Sequence, residues 1–166
     1  FTTGDNKLFL EVTQNIDEVY DVVIDPGHGG DDEGACFNSL CETALTLDLS
    51  NLLKENIEKA GYKVKLTREE DYNLEKYGND SRVERSYNAK AKLLISVHLN
   101  STVNKYNGFE IYTSNHIDYT LARNFVNALN SVEKLNISDN LGFRVEPGIY
   151  TRMFDEYNLS DIKSKK

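Results

Sequence analysis

Three side chains in this sequence are of the types that hold a metal ion: His28, Glu42 and His98. His28 lies in a glycine-rich loop, Pro26-Gly27-His28-Gly29-Gly30, directly after the apolar run Val19-Tyr20-Asp21-Val22-Val23-Ile24-Asp25. His98 lies near the end of a second apolar run, Leu93-Leu94-Ile95-Ser96-Val97-His98-Leu99. Both runs read as strands. In a parallel α/β sheet the carboxyl ends of the strands line up along one edge, where ligands bind. Glu42 opens a helical stretch just after the His28 loop, so its first turn returns to the same rim. Two imidazoles and one carboxylate leave one coordination position open. That is how catalytic zinc is held, and zinc so held acidifies a bound water and polarises a carbonyl. Taken singly, each residue has an ordinary reading: a loop histidine, or a glutamate complementing a helix dipole. The metal reading rests on their joint placement and on glycines that let the backbone approach an ion. Spacing alone leaves both readings open.

The elements that must position these residues can be read in turn. Leu45, Leu49, Leu52, Leu53 and Ile57 recur at helical spacing, and Gly61 stops that helix with Lys59 in its last turn. Tyr62 to Thr67 alternates apolar and polar residues, as a strand with one wetter face does. Asp80 or Ser81 caps a helix running to about Ala91. Phe109-Glu110-Ile111-Tyr112 is a further strand, and Leu121, Phe125, Val126 and Leu129 give a helix that fades near Asn136. The order strand, helix, strand, helix, strand, strand, helix predicts an α/β fold. The expectation is a single domain with a mostly parallel twisted sheet flanked by helices on both faces. Residues 1–18 form an N-terminal segment and residues 19–166 the domain, with a polar tail from Asp161 to Lys166.

A chain of 166 residues, 39% hydrophobic and 28% charged, is long enough for one domain with a real core. The net charge of −8, with Lys and Arg unclustered, argues against nucleic acid and against anionic membrane surfaces as partners. No apolar run is long enough to span a bilayer. A glycine-rich loop after a strand also suits phosphate, but Asp31, Asp32 and Glu33 would repel it and no Gly-Lys-Ser/Thr follows. Cys36 and Cys41 flank Phe37-Asn38-Ser39-Leu40. They are readable as a disulfide closing a small loop, as half of a metal site, or as two separate thiols; export favours the disulfide. The chain begins at Phe1 rather than Met, so an export signal would precede this numbering.

These residues resemble a known family. Ile24-Asp25-Pro26-Gly27-His28-Gly29-Gly30, then Gly34-Ala35, then Glu42, is similar to the opening of the zinc-dependent N-acetylmuramoyl-L-alanine amidases of the AmiC/LytC type. Leu66-Thr67-Arg68 with Asp71, Arg82 with Asn88-Ala89, Ile95-Ser96-Val97-His98-Leu99-Asn100-Ser101 and Gly108-Phe109-Glu110-Ile111-Tyr112 resemble its later motifs, in the right order. The likeness runs from about Val22 to about Tyr150. It implies zinc on His28, Glu42 and His98, and hydrolysis of the amide joining N-acetylmuramic acid to L-alanine in peptidoglycan. It also implies an extracytoplasmic site of action, Asn100 facing the substrate groove, and an activating protein partner as an option. Arg82, a helix residue, is expected to be structural.

There are departures. Cys41 and Thr43 flank Glu42, where the family often has glycine-rich sequence before and a lysine after. The family also carries a second glutamate on a further strand, followed by a closing helix. That glutamate is the general base, and nothing after Tyr150 resembles its motif. Asp155, Glu156 and Asp161 lie in a polar stretch. The expectation is therefore a domain lacking its last strand and helix, with no assignable base and little activity by itself. Glu110 and Glu146 are the available substitutes, and neither is favoured. The alternative is an amidase-like wall-binding or partner-regulated module that is catalytically incompetent.

Overall fold

The computed structural model describes residues 2–4, 7–9, 19–101, 107–114 and 118–151. Asp155, Glu156 and Asp161, and the polar tail that Asp161 begins, lie outside the described residues. The chain divides into two compact units, Phe1–Ser101 and Thr102–Lys166.

In the first unit, β1 (Thr2–Gly4) and β2 (Lys7–Phe9) pair as an antiparallel ladder. The first apolar run forms β3 (Val22–Pro26), buried along its whole length. A short hairpin follows, β4 (Cys36–Phe37) and β5 (Leu40–Cys41), and leads straight into α1 (Glu42–Lys59). Then come β6 (Val64–Leu66), α2 (Arg82–Asn88) and β7 (Leu93–Val97). The sheet order is β6-β3-β7, and both pairings are parallel. The β-branched central strand is the most buried, as a strand with neighbours on both sides should be. Val22, Ile24, Val64 and Leu66 form its core, with Leu53 and Ile57 of α1 and Leu93, Ile95 and Val97 of β7 packed against them. The helix signals act where expected. The Ser81 hydroxyl accepts from the Glu84 N–H at 3.2 Å, and Gly61 follows the end of α1 with φ of 91°.

Two details of burial go beyond the sequence pattern. Leu93–Val97 reads as a wholly apolar strand, yet it is an edge of this sheet and Leu94 faces out. The leucine-rich stripe of α1 is not its buried face either. Glu42, Thr43, Thr46 and Ser50 are buried, whereas Leu45, Leu49 and Leu52 are exposed. The helix phase follows Glu42, which points to the sheet edge. Thr46 and Ser50, four and eight residues on, share its face, with Leu53 and Ile57 continuing it.

The second unit holds β8 (Ile111–Thr113), α3 (Thr120–Asn130), β9 (Arg144–Glu146) and β10 (Ile149–Thr151). Strand β10 lies between the other two, parallel to β8 and antiparallel to β9. Ala122, Val126 and Ile149 form its core, with Phe109, Ile111, Tyr119 and Ile137 against them. The chain is thus mixed α/β with a parallel central sheet, as the alternation of elements predicts.

Candidate metal centre

The register of the parallel sheet brings the two histidines together. Pro26 of β3 pairs with Val97 of β7, and the Gly27 N–H extends the ladder to the Val97 carbonyl at 2.9 Å. His28 and His98 therefore leave neighbouring strands at the same level. Their rings meet edge to face, with centroids 5.0 Å apart. Glu42, the first residue of α1, reaches between them. Its Oε1 lies 3.2 Å from Nε2 of His28 and 3.1 Å from Nδ1 of His98. Ligand-type atoms of all three residues lie within 4.8 Å of one another.

Each member is held in place by others. The Asp32 carboxylate sits 2.9 Å from Nδ1 of His28, on the far side of the ring from Glu42. That contact holds the Asp32 carboxyl below its usual pKa and fixes the ring orientation. Glu42 is almost wholly buried. Burial raises its pKa, but the N–H groups of Leu99 and Ala35 and the two histidines outweigh that, so the net shift is downward. The Leu99 N–H donates to Oε1 at 2.7 Å and the Ala35 N–H to Oε2 at 3.2 Å. An ionised carboxylate with two facing imidazoles is the oxygen–nitrogen donor set that zinc takes. The group fits a zinc ion by the chemistry of its donors.

Two of the glycines lie directly against the candidate ligands. A Cβ at Gly27 would lie 2.4 Å from Cε1 of the His98 ring. At Gly34, φ is +66° and a Cβ would lie 2.7 Å from Cδ2 of His28 and 2.8 Å from Cβ of Glu42.

Beneath the site lies a polar network that the sequence reading missed. Arg68 is completely buried. Its guanidinium donates to the carbonyls of Pro26 at 3.2 Å, Gly27 at 2.9 Å, Thr43 at 2.9 Å and Glu70 at 3.2 Å. It thereby ties the residue before His28 to the residue after Glu42. Arg82, expected as structural, is bonded to the backbone here. It donates to the Pro26 carbonyl at 2.6 Å, to the His28 carbonyl, and to Asp25 Oδ1 at 2.8 Å. Asp25 also accepts from Thr67 at 2.5 Å and Ser96 at 3.0 Å, so one buried carboxylate links the carboxyl ends of all three strands. The signal available in the sequence was a charged residue, Asp25, inside an apolar run.

The remaining candidates are placed as follows. Asn100 is exposed, two residues beyond His98. Cys36 and Cys41 are joined as a disulfide. In the second unit Glu110 accepts from Ser138 at 2.8 Å, Asn140 at 3.1 Å and Tyr112 at 2.8 Å. Glu146 is gripped by both Nε and Nη2 of Arg123, at 2.8 and 2.6 Å. Both carboxylates are engaged within their own unit.

A family model described as N-acetylmuramoyl-L-alanine amidase matches residues 22–158. The N-acetylmuramoyl-L-alanine amidase LytC of Bacillus subtilis (strain 168) is 30% identical over 148 residues, covering 86% of this chain and 27% of that protein. The germination-specific N-acetylmuramoyl-L-alanine amidase of the same organism is 33% identical over 91 residues, 48% of this chain and 38% of its own length. The chain thus spans well under half of either relative. Among solved structures, the amidase AmiC2 of Nostoc punctiforme superposes with a TM-score of 0.65 at 29% identity, over 80% of this chain and 69% of that one.

Proposed function

This chain belongs to the N-acetylmuramoyl-L-alanine amidase family, and from that premise we propose that it is a zinc-dependent hydrolase of the amide bond between N-acetylmuramic acid and L-alanine in peptidoglycan. The observation that carries the reading is the convergence of His28, Glu42 and His98 at the shared end of two parallel strands.

In this reading, His28, Glu42 and His98 would hold the ion. Bound zinc supplies Lewis acidity, acidifying water and polarising the substrate carbonyl. The protein does the rest by position. Asp32 fixes the His28 ring, and the N–H groups of Leu99 and Ala35 keep Glu42 ionised and aimed. Asn100, exposed just past His98, contacts the substrate at the rim. Glu110 and Glu146 are committed to their own partners, so the proton-transfer role is assigned to neither. The site of action is outside the cytoplasm, where peptidoglycan lies, in vegetative wall or spore cortex. An activating protein partner is compatible with this reading.

The test is digestion of peptidoglycan by the zinc-loaded protein, followed by mass spectrometry. New free L-alanine amino termini are expected in low yield, since no described residue is assigned as the general base. His28→Ala, Glu42→Ala and His98→Ala should each abolish both the termini and the bound zinc, expected at about one ion per domain. New reducing sugars would instead mean a glycosidase. Full zinc with no cleavage would favour the wall-binding or partner-regulated module. Full zinc in any alanine variant would remove that residue from the ligand set.

A further inference from the structure

We propose that the Cys36–Cys41 disulfide is a positioning element for Glu42, and that its reduction by an external dithiol loosens the metal site; this rests on the zinc reading above.

The hairpin that carries the disulfide has little else to hold it. Its strands are two residues each. Its turn residues, Asn38 and Ser39, both sit in the left-handed region, with φ of 49° and 63°. Asparagine tolerates that conformation, while serine lacks glycine's freedom there. Phe37 and Leu40, the apolar residues of the hairpin, are 78% and 60% exposed, so no core burial anchors it. Longer hairpins than this are marginal in water. The covalent link between Cys36 and Cys41 is what keeps the two strands in register.

That register is transmitted directly to Glu42. Ala35 precedes Cys36, and Glu42 follows Cys41. The Glu42 N–H donates to the Ala35 carbonyl at 2.8 Å, and the Ala35 N–H returns to Oε2 of Glu42 at 3.2 Å. The Thr43 N–H donates to the Glu33 carbonyl at 3.1 Å. Cys41 is the N-cap of α1 and offers it no side-chain cap, so these contacts stand in for one. With the link open, Ala35 is free to leave, and one carboxylate oxygen of Glu42 loses its donor.

The chemistry is thiol–disulfide exchange. A thiolate of the dithiol attacks Sγ of Cys36, the more exposed cysteine, and the Cys41 thiolate departs. The second thiol of the reagent then displaces Cys36. The protein gains two electrons and two protons, and the dithiol leaves as its disulfide.

Sulfurs of the freed cysteines, with Glu33, are close enough to form a second metal group. The decisive variant is therefore Cys36→Ser/Cys41→Ser, which has no thiolates. Its zinc affinity, measured by competition with a chromophoric chelator, should be about tenfold below that of the oxidised protein. In the Glu42→Gln background the serine pair should make no further difference. Metal-free amide exchange should show protection of the Glu42 N–H in the oxidised protein, its loss on reduction with a phosphine, and its return on reoxidation. That measurement needs no variant to fold. Unchanged zinc affinity, an equal loss in the Glu42→Gln background, or undiminished Glu42 protection after reduction would overturn the proposal while leaving zinc binding intact. Failure of the oxidised protein to bind zinc at all would overturn the zinc reading and this proposal with it.

Discussion

The two approaches to the candidate metal centre are held in opposite ways. The His28 loop is fixed from below by buried guanidinium groups, which bond to the carbonyls of Pro26, Gly27 and His28. The approach to Glu42 is an exposed hairpin closed by one covalent bond. The first approach derives its rigidity from burial and is indifferent to redox state. The second has almost no buried surface and depends on a link that solvent reagents can reach. Glu42 itself is buried, so the contrast lies in the segments that lead to the ligands and not in the ligands themselves.

The difference can be tested by substitution, starting where the loss should be greatest. Arg68→Met leaves the buried carbonyls of Gly27 and Thr43 without a donor and should cost about 3 kcal/mol or more in urea denaturation. A cost under about 1 kcal/mol would show that the buried side is no stiffer than the hairpin side. Gly34→Ala puts a Cβ against His28 and Glu42 at a positive φ and should cost about 2 kcal/mol. Zinc affinity should fall with it, because Gly34 sits where the two arms meet; unaltered affinity would place the strain elsewhere. Asp32→Asn should lower zinc affinity by about tenfold through the looser His28 ring, with thermal stability nearly unchanged because Asp32 is exposed. Equal affinity would mean that the backbone alone fixes His28. Smallest of all, Leu49→Gln should shift stability by no more than about 0.5 kcal/mol, since Leu49 lies on the exposed flank of α1. A loss near 2 kcal/mol would mean that this flank is covered in solution.

The three candidate ligands were legible in the sequence because each stands at an element boundary. His28 and His98 close the two most apolar runs, and Glu42 opens the helix between them. The sheet register turns that reading into proximity. The buried face of α1 does not follow its leucines, for a physical reason. Leucines are ordinarily the buried residues of a helix, but here Thr43, Thr46 and Ser50 occupy the face toward the sheet. The Thr46 hydroxyl bonds to the Gly27 carbonyl at 2.8 Å, and Arg68 takes the Thr43 carbonyl. Polar residues are buried there because they complete a network whose other members lie far away in sequence. Arg68 was visible only as part of the Leu66-Thr67-Arg68 motif, and its buried role was not, because its partners Gly27 and Thr43 lie far away in sequence. The β4–β5 hairpin and the β9–β10 pair are too short to show a period. Only the turn residues between β9 and β10, Pro147 and Gly148, hinted at the second of them.

The parallel register has a consequence for metal choice. His28 and His98 hang from adjacent strands, so the gap between them follows the spacing of the hydrogen-bond ladder, about 4.8 Å from strand to strand. The ladder fixes the spacing of the backbones from which the two histidines project. The two histidines act as the fixed jaw of a caliper. Glu42 comes from a different element, the first turn of α1, which a small hairpin leads into. Efforts to retune this site toward a larger or smaller ion should therefore leave the strands alone and alter the hairpin, where a single residue's displacement resets the aperture.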